Sequence, residues 1–334
     1  MAKPTIHQVA DRAGVSTTTV SRTLNTPTLV DTETAEKVWA AISELEYYPN
    51  GQARSLVSGR TRLLGLIVSD ITNPFFPEVI KGFEDVAAEQ GFDILIGSTD
   101  YDPVKMARCV RRMLERRVDG VAIMTSEMDH HLVDQLARRN VPMVFLDVAQ
   151  PREGTATIVI DYEHGITEAV THLAALGHRN IGFVSGPPHL WSVQLRRSAF
   201  LEALRNHGMH AEDRFLIEGN HKVDGGLDAM TQLLRLPQRP TAVVASNDLT
   251  AIGMIRGIHR AGLTVPGDFS VVGFDDVWLA QFTDPPLTTV RLSRTKLGHL
   301  AFQALVPNKP ETVPLERLAR VDTKLVIRET TQAV

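Results

Sequence analysis

The sequence predicts an all-α helix-turn-helix headpiece, a short linker, and an α/β core of two lobes. Three observations lead there. Residues 5–48 carry apolar positions at helical spacing in three short blocks. From Leu63 onward, short aliphatic runs alternate with longer amphipathic ones. Arg117-Val118-Asp119-Gly120-Val121-Ala122-Ile123-Met124 is echoed by Arg239-Pro240-Thr241-Ala242-Val243-Val244-Ala245. A chain of 334 residues suits two or three domains and is long enough to bury a sizeable core.

In the first block Ile6, Val9, Ala10 and Ala13 define one apolar helix face. Gly14 then offers a positive φ at low steric cost, and Ser16 caps a second helix, Thr17 to Leu24, with Val20 and Leu24 inward. A loop with Pro27 follows. Thr32 opens a third helix, expected to turn Ala35, Val38, Trp39, Ile42 and Leu45 inward and to stop before Pro49. These residues form a domain over 1–48. Residues 49–61 read as a linker with too few apolar positions to pack alone.

The core is expected over 62–334, with lobes of approximately 62–160 and 161–291 and a C-terminal segment crossing between them. Its strands read as Leu64–Ser69, Asp93–Gly97, Gly120–Met124, Met143–Leu146, Thr157–Ile160, Ile181–Val184, Ala242–Ala245 and Ser270–Gly273, with another near Leu325–Ile327. Helices include Glu78–Gln90, Val104–Arg117, Glu163–Leu176 and Leu195–His207. Such alternation favours parallel sheets, with a ligand cleft at the carboxyl ends of the strands.

Composition narrows the function classes. Cys109 is the only cysteine, which excludes a disulfide within the chain and fits a reducing compartment. The longest apolar run, Leu63 to Val68, is far too short for a membrane span. The N-terminus enters an amphipathic pattern without a signal peptide, so a cytoplasmic location is expected. The net charge is −4. In residues 1–60, Lys3, Arg12, Arg22, Lys37, Arg54 and Arg60 are balanced by Asp11, Asp31, Glu33, Glu36, Glu44 and Glu46. Bulk charge therefore announces no nucleic-acid partner. The distribution does more: up to Asn25, Asp11 is the only acid.

The stretch from Val9 to Arg22 carries the strongest signal. It has a small residue where two helices cross (Ala10), a turn glycine (Gly14), and aliphatics on both sides (Val9, Val15, Val20). The second helix then offers Thr17, Thr18, Ser21 and Arg22, which suit base edges and phosphates in a major groove.

These residues resemble the lactose-repressor (LacI/GalR) family of transcription regulators. The resemblance runs along nearly the whole chain. It rests on Ile6-His7-Gln8-Val9-Ala10 through Thr19-Val20-Ser21-Arg22, on Tyr48-Pro49-Asn50, and on Ala53-Arg54-Ser55-Leu56. Further along it rests on Asp70-Ile71-Thr72-Asn73-Pro74-Phe75-Phe76, Leu176-Gly177-His178-Arg179, Ser246-Asn247-Asp248, Gly273-Phe274-Asp275-Asp276 and Pro285 through Val290. It implies a DNA-binding headpiece joined by a hinge helix to a periplasmic-binding-protein-like core. It also implies a homodimer on operator DNA and control by a small polar effector such as a sugar or sugar acid. The DNA-binding residues it implies are Thr5, Ser16, Thr17, Thr18, Thr19, Ser21, Arg22, Asn25, Asn50, Ala53 and Leu56. Leu56 matches the family's minor-groove wedge; its alternative is a linker residue packed on the core. Gly51 departs from the pattern and weakens intrinsic helix propensity in the hinge.

For the effector, the resemblance and the carboxyl-end rule point to Asp70, Asn73, Phe75, Phe76, Asp147, Arg196, His221, Asn247 and Asp275. An arginine fork at 196 suits vicinal hydroxyls or a carboxylate. Phe75 and Phe76 read equally as ring-stacking or core residues, and Asp275 alternatively as a turn former. Asp161 is a further possible contact, and His189 and Trp191 are candidate specificity residues. Tyr162, where the family commonly has Asn, and His221, where it often has a stacking aromatic, are departures. No cofactor is expected, and the histidines lack companions at metal-ligand spacing. Neither a phosphate loop nor a nucleophile elbow appears. A transport sugar-binding protein and a sugar-converting α/β enzyme are the competing classes. The helix-turn-helix argues against the first, and the missing catalytic constellation against the second. No heptad tail follows the last strand, which favours a dimer over a tetramer.

Overall fold

The computed structural model describes residues 4–48, 60–125, 128–148, 155–306 and 318–334. The expectations for Asn50, Ala53, Leu56 and a hinge helix fall outside those residues. The chain separates into two units, Met1–Thr61 and Arg62–Val334.

The first unit contains α1 (Ile6–Ala13), α2 (Thr17–Asn25) and α3 (Thr32–Glu44). Each start is fixed by a side chain. The Thr5 hydroxyl accepts from the Gln8 amide while the Gln8 side chain accepts from the Thr5 amide, a reciprocal capping box. Ser16 accepts from the Thr19 amide at 3.1 Å, and Asp31 from the Thr34 amide at 2.9 Å. Gly14 ends α1 at φ 67°, a left-handed position where a Cβ is costly. The core is small: Val9, Ala10, Val20, Val38 and Ala41 are buried, with Ile6, Ala13, Val15, Leu24, Ile42 and Leu45 packed around them. Trp39 corrects the sequence reading, being 49% exposed. It lies about 100° around the helix from Val38, and Val38, Ala41, Ile42 and Leu45 close the core without it.

The second unit opens with β1 (Leu63–Val68), α4 (Phe75–Glu89), β2 (Asp93–Ser98), α5 (Pro103–Glu115), β3 (Gly120–Met124), α6 (His130–Ala137), β4 (Met143–Leu146) and β5 (Ala156–Ile160). The chain continues with α7 (Tyr162–Ala175), β6 (Ile181–Val184), α8 (Trp191–Asn206), β7 (Leu216–Ile217), α9 (Val223–Leu234), β8 (Ala242–Ala245), α10 (Asp248–Arg260), β9 (Ser270–Asp275) and β10 (Thr288–Leu292). It ends with α11 (Arg294–Leu305), β11 (Leu318–Val321) and β12 (Thr323–Val326).

Two six-stranded sheets result, in the orders β11-β5-β4-β3-β1-β2 and β12-β10-β9-β8-β6-β7. Every pairing is parallel except β10 with β12. The orders are equivalent strand for strand, and the echoed segments lead into β3 and β8, which hold the same place in the two sheets. Helices cover both faces of such sheets, so strands like β3 are buried throughout. Each lobe's core is stapled by aromatic pairs, Phe83 with Phe302 at 5.8 Å and Phe183 with Phe200 at 4.9 Å.

The chain passes between the sheets three times: at Asp161, at Ser293 and at Asp322. Two of these crossings are tied together. The Asp161 amide donates to the Val321 carbonyl at 3.0 Å, and the Thr323 hydroxyl donates to the Asp161 carbonyl at 2.7 Å. Arg320 pairs with the Asp161 carboxylate at 2.6 Å. This places Asp161 in the connection between lobes.

Candidate functional site

Two surfaces follow from this architecture. On the headpiece, Ser16, Thr18, Arg22 and Asn25 are exposed and Thr17, Thr19 and Ser21 half-buried. Their chemistry is not uniform. Thr5 and Ser16 are committed as caps, and the Ser16 and Thr19 hydroxyls share a hydrogen bond at 2.9 Å. The Asn25 amide nitrogen donates to the Ser21 carbonyl at 2.8 Å. Arg12 pairs with Glu44 of α3 at 2.6 Å. Arg22 is exposed on α2 and has no ion pair among the described residues.

In the core, a cleft lies at the carboxyl ends of both sheets. Asn73 reaches it from the turn after β1, Phe75 and Phe76 from the start of α4, Asp147 from the end of β4, and Arg196 from α8. His221 precedes α9, Asn247 follows β8, and Asp275 ends β9. The structure thus gathers eight of the nine expected effector residues. Asp70 is the exception. It is buried, but its Oδ1 accepts from the Thr72 amide at 2.9 Å and the Thr72 hydroxyl at 2.7 Å. It shapes the turn after β1 and does not line the cleft.

Asn247 and Asn73 line the cleft with much of their hydrogen-bonding capacity already used. Asn247 caps α10 through the Thr250 amide and donates its own Nδ2 to the His221 carbonyl at 3.0 Å. Asn73 accepts from the Phe75 amide at 3.0 Å, which orients the Phe75–Phe76 pair, packed edge to face at 5.0 Å.

Arg196 is the sole arginine or lysine among the lining residues. It is 7% exposed, and its guanidinium lies 4.2 Å from the Tyr162 ring and 5.0 Å from the Phe274 ring. Tyr162 in turn donates its hydroxyl to Asp147 Oδ2 at 2.6 Å, and the Ile160 amide donates to Oδ1 at 3.0 Å. Burial dominates the titration of these groups. It pushes Asp147 up to about 6, opposed by the Tyr162 hydroxyl, the Ile160 amide and the Arg196 charge. It pushes Asp275 up to about 7, opposed by Arg196 and Arg294. It holds His221 down to about 3, with Arg196 adding to the effect. Behind Asp275, the buried Asp248 is raised well above the usual carboxylate range by burial and by the Asp275 charge. Asp248 accepts from the Val277 amide at 2.8 Å and lies 2.5 Å from the Thr289 hydroxyl.

Three lining groups are buried with a polar atom left over: Arg196 Nε, His221 Nε2 and Asp275 Oδ1. A buried polar atom without a partner is costly, and these three sit on residues that line one cleft, which suits a ligand with both donors and acceptors. Among the described residues no cluster of three or more His, Cys, Asp or Glu could hold a metal ion.

Other lining residues were not singled out as contacts from sequence. Ser69 and Thr125 immediately follow β1 and β3, and their hydroxyls are 2.8 Å apart; the carboxyl-end rule was sufficient to find both. Tyr162 was noted for its identity and not for its place. Tyr101, Leu190 and Ser192 carried no signal. His189 and Trp191 do not line the cleft; Leu190 between them does.

Comparison with known proteins is consistent with both surfaces. Residues 5–50 match the family described as bacterial regulatory proteins, lacI family, and residues 170–331 the periplasmic binding protein-like domain. An HTH-type transcriptional repressor PurR of Photobacterium profundum is 35% identical over 326 residues, covering 97% of this chain and 98% of that protein. The ribose operon repressor of Escherichia coli is 36% identical over 305 residues, 90% of this chain and 92% of that protein. A lac repressor dimer bound to operator and the anti-inducer ONPF superposes with a TM-score of 0.86 at 30% identity, covering 99% of this chain and all of that one.

Proposed function

The chain belongs to the LacI family of bacterial regulatory proteins, and from that premise we propose how its two surfaces divide the work. It is a DNA-binding repressor under effector control, not an enzyme. Two copies bind one operator, each laying α2 in a major groove with Thr17, Thr18, Ser21 and Arg22 toward the bases. Thr5, Ser16, Thr19 and Asn25 support that register from the helix ends, with Asn50, Ala53 and Leu56 extending the contact beyond the headpiece. The protein works in the cytoplasm, where the operator is; no described helix is long and apolar enough to cross a membrane. The homodimer uses the exposed Trp278 and Phe282, whose rings meet at 6.0 Å on a single short turn.

The effector is a small neutral polyhydroxyl ring. The observation that carries this reading is the trio of unpartnered buried atoms, Arg196 Nε, His221 Nε2 and Asp275 Oδ1. A neutral sugar supplies hydroxyls to all three. A sugar acid would add a negative charge beside two buried carboxyls whose ionisation burial already opposes, with Arg196 as the one lining cation, and so is disfavoured. Phe75 and Phe76 offer an apolar wall for the ring's carbon face.

The test is a thermal-shift and calorimetric screen of the full chain against D-ribose, hexoses, sugar acids and nucleobases, followed by operator titration with and without each binder. Binding to the folded state raises the melting temperature. A neutral monosaccharide that binds and changes operator affinity is expected; a nucleobase or a sugar acid as sole binder overturns the ligand class. Operator binding should also weaken steeply with added salt.

A further inference from the structure

Behind the cleft, the lobes are fastened by a side chain that does not line it. Arg294 opens α11 immediately after the crossing at Ser293, and its side chain is 11% exposed. One end nitrogen donates to the Asp275 carbonyl and lies 3.5 Å from the Leu292 carbonyl. The other pairs with Glu78 at 2.9 Å. Glu78 sits in the first turn of α4, two residues beyond Phe76. A single guanidinium therefore holds the strand end that carries Asp275 in one lobe and the helix that carries Phe75 and Phe76 in the other.

The strand end needs holding. Asp275 has φ 111° and Asp276 φ 53°, both in a region that residues with a Cβ rarely adopt. Three arginines fix this pair. Arg291 and Arg328 take the Asp276 carboxylate at 2.5 and 2.6 Å, and Arg294 takes the Asp275 carbonyl. Arg291 and Arg328 make these bonds within their own lobe; Arg294, past the crossing, pairs with Glu78 of its own lobe and reaches Asp275 in the other. Its bidentate reach matters, because a lysine offers a point charge and no fork.

We propose that Arg294 is a positioning residue: it aims the Asp275 carboxylate into the cleft and clamps that strand end to α4, so that engagement of Asp275 by effector and closure of the lobes are one event. This rests on the cleft being the effector site. Energetically, a ligand shifts the lobe angle only by its differential affinity for the two arrangements, and Arg294 is the bond that makes Asp275's contact depend on that angle.

The experiment places spin labels on the full chain at exposed Arg138 and Arg235, one in each lobe, with the buried Cys109 changed to Ala, and measures interlobe distances without ligand. Arg294→Gln and Glu78→Gln should each broaden the distribution, Arg294→Lys should broaden it partly, and the double variant should add little to Arg294→Gln. D-ribose as probe is then titrated by calorimetry, and operator affinity measured with and without it. An effector effect on operator affinity, roughly 5–150-fold in systems of this kind, should shrink to below about threefold in Arg294→Gln. A merely structural Arg294 would lower the melting temperature and leave the distances of the folded protein unchanged; that result overturns the proposal. A wild-type chain that responds to neither D-ribose nor operator counts against the regulator reading, while the ligand-free distances still decide for or against the clamp.

Discussion

The two lobes share one scaffold and split the chemistry of the cleft unequally. Their strand orders match position for position, and in both the lining residues sit at the carboxyl ends of parallel strands. Yet the second lobe supplies the one lining cation, Arg196, with His221, Asn247 and Asp275, whereas the first supplies the apolar surface of Phe75, Phe76, Met124, Leu146 and Ile160 beside the uncharged polar groups of Ser69, Asn73, Tyr101 and Thr125. Its one lining carboxylate, Asp147, is already spoken for by Tyr162 and the Ile160 amide. Topology fixes where side chains converge; the residue after each strand fixes what they do there. A ligand in such a cleft is recognised chiefly by one wall and covered by the other, which suits a cleft whose closing is the signal.

The sharpest way to break this division is Arg196→Ala. It removes the only guanidinium from the lining, leaving Asp147 without its opposing charge and Asp275 with Arg294 alone, so both carboxyls should rise further. Charge-assisted hydrogen bonds are worth about 1.5–3 kcal/mol each, so losing two of them should weaken effector binding on the order of a hundredfold or more. Operator binding without effector should survive. Calorimetry and operator titration read the two effects separately; effector affinity within a few-fold of wild type would mean that the charged wall is not the recognising one.

Gly186→Ala tests the same wall more gently. A Cβ at this position would lie 2.0 Å from His221 Nε2 and within 2.4 Å of two further ring atoms, so the imidazole must leave its place over the Gly186 backbone. Effector affinity should fall about tenfold, the worth of one neutral hydrogen bond of roughly 1.4 kcal/mol, with the fold intact by circular dichroism. An unchanged affinity would remove His221 from the contact set.

Much of this division was legible in the sequence, and the rest was hidden for definable reasons. Strands such as Gly120–Met124 and Ala242–Ala245 stand out because burial on both faces demands unbroken aliphatic runs. Residues at or just past strand ends, Asp147, Asn247 and Asp275, inherit their place from the carboxyl-end rule. Asp70 follows β1 just as closely but turns its carboxylate onto Thr72; a carboxylate two residues before a threonine can close a turn on itself, and spacing does not distinguish that from a ligand contact. Trp39 was misread because a stripe of small aliphatics was enough to seal a three-helix core. Tyr101 and Arg294 were invisible as partners of the cleft because they meet it through pairings distant in sequence.

Tyr162→Phe sharpens the comparison where the second lobe meets Asp147 of the first. It deletes the 2.6 Å bond to Asp147 while keeping the ring under Arg196. Asp147 loses an influence that lowers its pKa and should move above about 6. The expected cost is about 1–3 kcal/mol of stability, read by urea unfolding, with a smaller loss of effector affinity than Gly186→Ala. A larger loss would mean that Tyr162 and Asp147 recognise the ligand directly and that the two walls share the task.

The smallest effect, and the one with the most specific sign, is the response to pH. An acid whose pKa folding raises binds more protons folded than unfolded between its two values, so its contribution to stability falls as pH rises through that interval. Asp275 behaves this way between 3.8 and about 7, and Asp147 between 3.8 and about 6. His221 does the reverse. Held down to about 3 from 6.5, it stays neutral while the unfolded chain takes up a proton, so its contribution grows as pH rises through that range. Asp275→Asn should therefore flatten the decline toward neutrality and His221→Gln the loss in acid. Effector binding isolates Asp275 more cleanly. A ligand hydroxyl donating to Oδ1 prefers the ionised carboxylate, and at pH 6 a group with a pKa near 7 is mostly protonated. Affinity should rise about fivefold to tenfold between pH 6 and pH 8, since one pKa unit corresponds to a factor of ten, and the rise should vanish in Asp275→Asn. An affinity that instead falls over this range would mean that protonated Asp275 donates to the ligand, moving an acceptor from the protein to the effector and changing the ligand class the charged wall selects.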